Sequence, residues 1–353
     1  MTTKHISPRS LRRLNFTPSV FDDDDLFAHC FSLSFSLSIR FLHPLSPRGK
    51  LVHLGLEGLA STNALLDQAM QHEAGVVLKN EIFRVALDEK QTSTLQKTAK
   101  TLPDLVEWME PHELDHFHQQ DLLGALRLHS GCKVIHVPSY LKGLWSACCA
   151  FVPDSVRWIV EPDCTDASFD WKQKLASFDT VVFSAGSGLF SNLVPVEELP
   201  VSLVRGQSIV LKLDGVSLDQ AILGGKYISP LPEKDRVLIG ATQEFDKIPW
   251  DKEKVKKELK ERSYQFTSTL WDNGSIDRIT SGVRVQSDRG KRGRMPIIGK
   301  YETQAHDNAW IFTGLSSRGL LYHGVFGDLL TDMMLMPTTV GLEEPELDWW
   351  NKN

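Results

Sequence analysis

Residues 310–320 read WIFTGLSSRGL and lead into an apolar segment at residues 324–336. The first four residues form an apolar run typical of a strand, and the later segment has the pattern of a helix. Small residues and one arginine, Arg318, form the turn between them. Because backbone N–H groups at a helix N-terminus attract anions, this strand–turn–helix unit predicts a site that faces an anion or a cofactor.

A second strand also ends in small residues. Residues 180–184 read TVVFS, a length expected for a buried parallel strand, and Ala185, Gly186, Ser187 and Gly188 follow. Ligands bind beyond the carboxyl ends of such strands. The motif is not a complete G-x-G-x-x-G, because Ser191 occupies the third glycine position. By itself it predicts a turn as readily as a binding site.

The rest of the chain alternates helical and strand-like segments. Helices are predicted at residues 51–70, 140–150 and 251–270, and strands at residues 134–137, 208–213, 227–230 and 237–241. The region from 201 to 242 is the richest in strands. This order predicts an α/β (mixed α+β) fold in which a doubly wound, dinucleotide-binding-like domain is interleaved with a β-sheet domain.

Composition narrows the class of protein. A formal charge of −6 argues against a general nucleic-acid binder, and the five cysteines form no CxxC pair, which favours reduced thiols inside a cell. No apolar run reaches the ~18 residues of a membrane span, so a soluble protein is predicted. Residues 1–21 contain Lys and Arg but no acid. That composition is typical of a plastid or mitochondrial transit peptide, although a disordered tail of a cytoplasmic protein fits as well.

One motif points to a different chemistry. Residues 112–116 read HELDH, which matches H-E-x-x-H, and on a helix the imidazoles of His112 and His116 would share one face and bind zinc. Pro111 places the motif in a first helical turn, and no third ligand is evident. The zinc hydrolase hypothesis is therefore the weakest alternative, and we predict no metal site.

Four blocks in order give the chain a specific resemblance. They are VRGQ at 204–207; YISP at 227–230 with IGAT at 239–242; GVR at 282–284 with PIIG at 296–299; and TGLSSRGL at 313–320. Together they resemble FAD-dependent oxidoreductases of the D-amino-acid oxidase superfamily, which includes glycine and sarcosine oxidases. The last block is most similar to the oxidase domain of the bacterial bifunctional enzyme that modifies the wobble uridine of tRNA. The similarity covers residues 42–340.

The resemblance implies FAD as the cofactor and an amine or amino acid as the substrate. Its C–N bond would be oxidised to an imine, and tRNA is a weaker partner hypothesis. Arg284 matches the arginine that binds the substrate carboxylate, a role that suits a bidentate guanidinium. Tyr227 matches a position on the substrate side. The residues implied to contact FAD are His43, Pro44, Ala185, Gly186, Gly314, Ser316, Ser317, Arg318, Gly319 and Leu320.

The resemblance also implies a division into domains. The FAD-binding domain would comprise residues 42–75, 134–197 and 276–340, and the substrate domain residues 76–133 and 198–275. Residues 1–41 would form an N-terminal segment outside the family, and residues 341–353 a tail.

The chain departs from the family pattern in three places. Ser316 replaces a common glycine, and the loop at 288–296 is longer and holds Arg289, Lys291, Arg292 and Arg294. Such a loop is either solvated or turned toward an anionic substrate. The family also begins with a strand, G-x-G-x-x-G and an acidic residue, whereas residues 1–41 contain no glycine. The first βαβ unit is therefore expected to be missing, and a cofactor-poor or non-catalytic form of such an enzyme is the main alternative.

Overall fold

The computed structural model describes residues 39–117, 122–153, 155–159, 170–192, 194, 196–246, 248–304, 306–335 and 350. The basic segment at 1–21 lies outside these residues, as do residues 22–38. No helix within the described ranges is long and apolar enough to cross a membrane.

Helices and strands alternate along these residues, in the mixed α/β arrangement that the sequence predicts. The α-helices are α1 (Gly55–Met70), α2 (Glu89–Thr101), α3 (Val137–Phe151), α4 (Trp171–Leu175), α5 (Leu189–Asn192), α6 (Lys252–Ser263), α7 (Ser268–Asp272) and α8 (Gly319–Leu335). The strands in the first half of the chain are β1 (Ile39–Leu42), β2 (Val77–Lys79), β3 (Ile82–Val85), β4 (Val106–Met109), β5 (Ala125–Leu128), β6 (Lys133–His136) and β7 (Val181–Phe183). The later strands are β8 (Val201–Leu213), β9 (Ile222–Gly224), β10 (Lys226–Pro230), β11 (Arg236–Gly240), β12 (Gly274–Ser287), β13 (Arg289–Gly290), β14 (Gly293–Arg294), β15 (Ile297–Lys300) and β16 (Ala309–Thr313).

The largest sheet contains eight strands in the order β12-β8-β11-β10-β9-β3-β5-β4. Its two longest strands, β8 and β12, pair antiparallel from Val201↔Ser287 to Leu213↔Gly274. Alternate residues of β8 point into a core that α6 closes with Val255 and Leu259, both fully buried. This sheet forms the platform for the substrate-side residues.

A smaller sheet has the order β15-β16-β7. Strands β7 and β16 lie side by side and parallel, with Phe183 opposite Ile311. The two small-residue turns that follow them, at 185–188 and 314–318, therefore begin at the same edge of the sheet. The resemblance implies FAD contacts in both turns, and those contacts stay a prediction.

A third sheet, β1-β6-β2, lies between helices α1 and α8 and the rest of the core. Helices α1 and α8 approach closely because Gly58 and Gly324 have no side chains. A Cβ on Gly58 would meet the Leu321 carbonyl oxygen at 2.4 Å, and one on Gly324 would meet Ser61 Oγ at 2.4 Å. The Thr62 hydroxyl also donates to the Leu320 carbonyl at 2.8 Å. These contacts fix the first turns of α8.

All four predicted helices form with shifted bounds, and two of them differ most from the structure. The helix predicted at 251–270 ends at Ser263 and continues as a 3₁₀ turn and the short α7. Ser263 Oγ donates to the Leu259 carbonyl and Thr267 Oγ1 to the Ser263 carbonyl, both at 2.7 Å, and such bonds compete with the helical pattern. Helix α8 begins at Gly319, five residues before the predicted start at 324.

The division into two interleaved domains stays a prediction. Strand β12, assigned mainly to the cofactor domain, pairs along its length with β8 in the eight-stranded sheet. Strand β2, assigned to the substrate domain, pairs with β6 instead.

Candidate active site

The register of the large sheet gathers polar residues on one face. Arg284 lies opposite Val204, Gly282 opposite Gly206, and Thr280 opposite Ser208. Ser208 in turn lies opposite Gly240, which lies opposite Tyr227. Because residues directly opposite each other point to the same side, Arg284, Ser208 and Tyr227 share one face.

The Gly206–Gly282 pair between Ser208 and Arg284 has no side chains. The face therefore carries no side chain between the rows of Tyr227 and Arg284, and this stretch is called the depression below. It is narrow, since a Cβ on Gly206 would lie 3.4 Å from Ala241 Cβ. This depression brings together Tyr227 and Arg284, the two substrate-side residues predicted from the sequence.

Tyr227 is held at one side of this depression. Its hydroxyl lies 2.9 Å from Ser208 Oγ, and its ring centroid is 5.7 Å from that of Phe41. A Cβ on Gly240 would come within 2.6 Å of the Tyr227 hydroxyl, so only glycine fits below it. The tyrosine ring is thus fixed by packing on two sides.

Arg284 is half-buried, and its Nε is fully buried without a hydrogen-bond partner among the described residues. Burial lowers the pKa of the Arg284 guanidinium, Tyr227 raises it, and the neighbouring Arg40 and Arg294 lower it further. None of these three neighbours is a carboxylate. A buried N–H without an acceptor costs about 1–3 kcal/mol, so the arrangement favours an anionic ligand beside Arg284.

The turn after β16 is hydrogen-bonded to the C-terminal end of β12. Gly314 has φ +67°, and Ser316 has φ +56°, which is uncommon for a residue with a side chain. The Ser287 backbone N–H donates to Ser316 Oγ at 3.2 Å, and Ser316 Oγ donates to the Gly314 carbonyl at 3.1 Å. The turn therefore lies beside the strand that carries Arg284. Ser317, Arg318, Gly319 and Leu320 follow directly and open α8.

His43 lies within electrostatic reach of two guanidinium groups, those of Arg84 and Arg318. Burial, together with Arg84 and Arg318, lowers the pKa of His43 to about 3, so its ring is neutral at physiological pH. His43 Nδ1 accepts the Leu45 backbone N–H at 3.3 Å, and the neighbouring Pro44 is buried. His43 is thus brought close to Arg318 of the turn, as expected for two residues that contact the same ligand.

A second histidine positions the start of α8. His323 Nδ1 is 2.9 Å from the Leu320 carbonyl oxygen, so this nitrogen carries the proton and donates. The other nitrogen, Nε2, then accepts the Tyr140 hydroxyl at 2.7 Å. Burial lowers the pKa of His323 and raises the pKa of Tyr140, which keeps both groups neutral.

The turn after β7 is open. Ala185 is exposed, and Gly186 has φ +55° with no atom within 4 Å of the position a Cβ would take. A ligand can therefore approach the backbone closely at this turn. Its role as a nucleotide contact stays a prediction.

The H-E-x-x-H motif does not form the helix that zinc binding needs. Residues Pro111–Phe117 form a 3₁₀ helix in which His112 is exposed. Positions four apart in a 3₁₀ helix are separated by about 120° around the axis, so they do not share a face. This geometry weighs against the zinc hydrolase hypothesis.

Three further arginines lie near the site, namely Arg40, Arg84 and Arg294. Sequence analysis missed Arg40 and Arg84, and it placed Arg294 in a loop that is either solvated or turned toward an anionic substrate. Arg84 is only 9% exposed, and its Nε has no hydrogen-bond partner among the described residues. Burial lowers the pKa of Arg84 to about 10. The sequence contains a signal for Arg40 and Arg84, because each is a charged residue inside an apolar strand. The strands are IRFL at 39–42 and IFRV at 82–85.

Comparison with known proteins decides the family. The family described as FAD dependent oxidoreductase matches residues 12–333, which is most of the chain. The chain belongs to this family. Its cofactor is therefore FAD, as the sequence predicts. The match begins at residue 12, earlier than the resemblance placed at 42 from motifs.

Individual relatives agree with this assignment. The chain is 32% identical over 162 residues to glycine oxidase from Pseudomonas aeruginosa, covering 44% of this chain and 42% of that protein. The match thus spans less than half the length of this curated relative. Glycine oxidase from Geobacillus kaustophilus has a similar fold, with a TM-score of 0.58 and 18% identity over 80% of this chain and 78% of the other. Iminodiacetate oxidase from Chelativorans sp. BNC1 gives a TM-score of 0.60 and 18% identity over 85% and 86% of the two chains.

The residues at the edge of the small sheet fit the flavin part of FAD. The buried Thr313 Oγ1 at the end of β16 has no hydrogen-bond partner among the described residues. The left-handed Gly314 and the 17-residue helix α8 then present backbone N–H groups. Such groups stabilise negative charge on a bound ring or phosphate.

Replacing Gly314 with Ala is expected to destabilise the folded protein more than replacing Gly215 with Ala. Both glycines have nearly the same backbone, φ +67° and φ +68°, so both variants carry the left-handed cost of about 1–2 kcal/mol. Only at Gly314 would the new Cβ meet neighbours, Ser287 Cβ at 3.2 Å and Ile297 Cγ1 at 3.3 Å. Urea unfolding should show an additional loss of about 1–3 kcal/mol for Gly314→Ala. Equal losses in the two variants would contradict the packing that fixes the turn.

The neutral state of His43 predicts a pH dependence of stability. Its pKa is about 3 in the folded protein and near the ordinary value of 6.5 in the unfolded chain. As the pH falls from about 6.5 to about 3, the unfolded chain binds a proton that the folded protein does not, so stability falls. In His43→Asn this loss should be smaller, because Asn stays neutral and its oxygen can still accept the Leu45 N–H. Identical slopes of unfolding free energy against pH for wild type and variant would refute this.

Proposed function

We propose that this protein oxidises the C–N bond of an amine that carries a carboxylate. The carbon beside the nitrogen would lose a hydride and yield an imine, and water would convert the imine to a carbonyl compound and a free amine. Membership of the FAD-dependent oxidoreductase family supports the redox chemistry. The relatives are named after glycine and iminodiacetate, which both contain an amine and a carboxylate.

The observation that carries the proposal is the buried, unpartnered Nε of Arg284 beside the Gly206–Gly282 depression. A carboxylate placed there accepts two parallel N–H bonds from the guanidinium and removes the cost of the unsatisfied donor. Arg205 also has a buried Nε without a described partner, but it lies opposite Val283 and therefore faces the other side of the sheet. Arg284 thus lies on the face of Tyr227 with an unsatisfied guanidinium. Arg84 shares this face, since it lies opposite Leu223, which lies opposite Tyr227, and its Nε is also without a described partner.

The remaining residues divide into two groups. The first group encloses the substrate and keeps water from its reacting carbon. It consists of Tyr227, which Ser208 holds in place, and the ring of Phe41. The second group lies on the other side and holds FAD. Its members are His43, Pro44, Ala185, Gly186, Gly314, Ser316, Ser317, Arg318, Gly319 and Leu320. Bound FAD supplies the acceptor for the hydride. The neutral His43 and the cationic Arg318 leave this side positively charged, which favours the reduced, anionic ring.

Product analysis tests the proposal. The protein with added FAD and an artificial electron acceptor is incubated with glycine, N-methylglycine or methylamine. We expect glyoxylate from the first two amines and no oxidation of methylamine, which has no carboxylate for Arg284. If methylamine is oxidised as fast as N-methylglycine, the carboxylate requirement is wrong.

A further inference from the structure

The hairpin that follows β12 returns a second guanidinium to the substrate site. Strands β13 and β14 pair Arg289 with Arg294, so the chain folds back immediately after β12. Arg294 is half-buried, and its Nη1 donates to the Ser287 carbonyl at the end of β12. Arg294 of β14 thus contacts the C-terminal end of β12, the strand that carries Arg284.

The two guanidinium groups of Arg284 and Arg294 carry more charge than one carboxylate neutralises. Arg284 lies within electrostatic reach of Arg294, and no described carboxylate is among the groups that act on Arg284. The hairpin adds Lys291 and Arg292, both exposed, with Arg292 Nη1 2.7 Å from His53 Nε2. Positive charges that are held close together in a half-buried site repel one another, and an anion that binds between them offsets this repulsion.

We propose that the natural substrate carries two anionic groups, one bound by Arg284 and the other by Arg294. This inference rests on the proposed function, and it adds a substrate class, namely an amine bearing two carboxylates or a carboxylate and a phosphate. Arg294 is suited to the second group because its Nη1 bond to Ser287 leaves other guanidinium N–H groups to donate. Arg294 therefore determines specificity, while Arg284 serves every substrate that has a carboxylate.

Binding of simple anions that cannot be oxidised tests the inference without turnover. The full chain, with and without added FAD, is titrated by calorimetry with butyrate, glutarate and 3-phosphonopropionate. We expect both dianions to bind at least tenfold more tightly than butyrate. A preference for the phosphonate over glutarate indicates that the second group is a phosphate, and the reverse order indicates a dicarboxylate.

Three variants locate the second anion. Arg294→Gln should remove the dianion preference and leave the butyrate affinity within twofold of wild type, whereas Arg294→Lys should keep most of the preference. Lys291→Gln, with the same change of charge at the exposed hairpin tip, should keep the preference in full. If Arg294→Gln weakens butyrate and glutarate equally, or if Lys291→Gln acts like Arg294→Gln, Arg294 does not bind the second group.

The outcomes also separate this inference from the proposed function. Wild-type protein that binds butyrate and glutarate equally overturns the second anionic group, while the carboxylate site at Arg284 stands. Wild-type protein that binds no carboxylate overturns both.

Discussion

Replacing Arg284 with Lys is expected to lower kcat/KM for a carboxylate-bearing amine by about 10- to 150-fold, mainly through a higher KM. Lysine keeps the charge but loses the planar fork that makes two parallel bonds to a carboxylate. The loss of one such charge-assisted bond corresponds to about 1.5–3 kcal/mol. Steady-state kinetics with N-methylglycine, together with direct binding of butyrate, separate the effect on binding from the effect on the chemical step.

Arg205→Lys is the matched control for this variant. Arg205 lies on β8 opposite Val283, next to Arg284 in the register but on the other face of the same sheet. It should leave kcat and KM within about twofold of wild type, since surface or off-site changes rarely exceed ±0.5 kcal/mol. Unchanged kinetics in Arg284→Ala would show that Arg284 does not bind the substrate.

The 353-residue chain is expected to bind FAD about 10²- to 10⁴-fold more weakly than a version in which a Gly-rich βαβ unit precedes β1. Residues 1–41 contain no glycine and place four aspartates at 22–25. A Gly-rich loop gives the pyrophosphate at least two further backbone N–H donors, each contributing about 1.5–3 kcal/mol to a charged acceptor. In the proposed function, the turns at 185–188 and 314–318 bind the remaining parts of the cofactor.

Equilibrium dialysis with FAD measures both affinities. The Gly314→Ala variant of each form serves as the control, because it should weaken FAD binding by the same factor in both. If the 353-residue chain purifies yellow and stoichiometric in FAD, a preceding glycine-rich loop is not needed for binding.

The sequence predicted the elements around the site well where a short pattern has one physical meaning. The apolar runs at 180–184 and 310–313 became the adjacent parallel strands β7 and β16. Residues 282–284 and 227–230 became neighbouring parts of one sheet face, although no local pattern shows that Tyr227, Ser208 and Arg284 point to the same side. That fact follows from strand register, which only the structure supplies.

The parts that the sequence did not predict depend on tertiary contacts. The start of α8 at Gly319 is set by packing of Leu320 and Leu321 against α1, and no capping residue marks it. The helix expected at 251–270 ends early because two hydroxyls bond to its backbone. The sequence left open whether the loop that holds Arg294 is solvated or turned toward a substrate, since the hairpin that brings Arg294 to β12 has no strong turn signal in the sequence.

Anaerobic reduction of the bound flavin tests the central claim most directly. FAD-loaded protein is mixed without oxygen with one equivalent of N-methylglycine, and the visible flavin absorbance is followed while the carbonyl product is quantified. We predict loss of the oxidised flavin spectrum with one glyoxylate formed per flavin reduced, and a slower loss in Arg284→Lys at the same amine concentration. A flavin that stays oxidised with every amine that carries one or two anionic groups would contradict the proposed oxidation of a C–N bond.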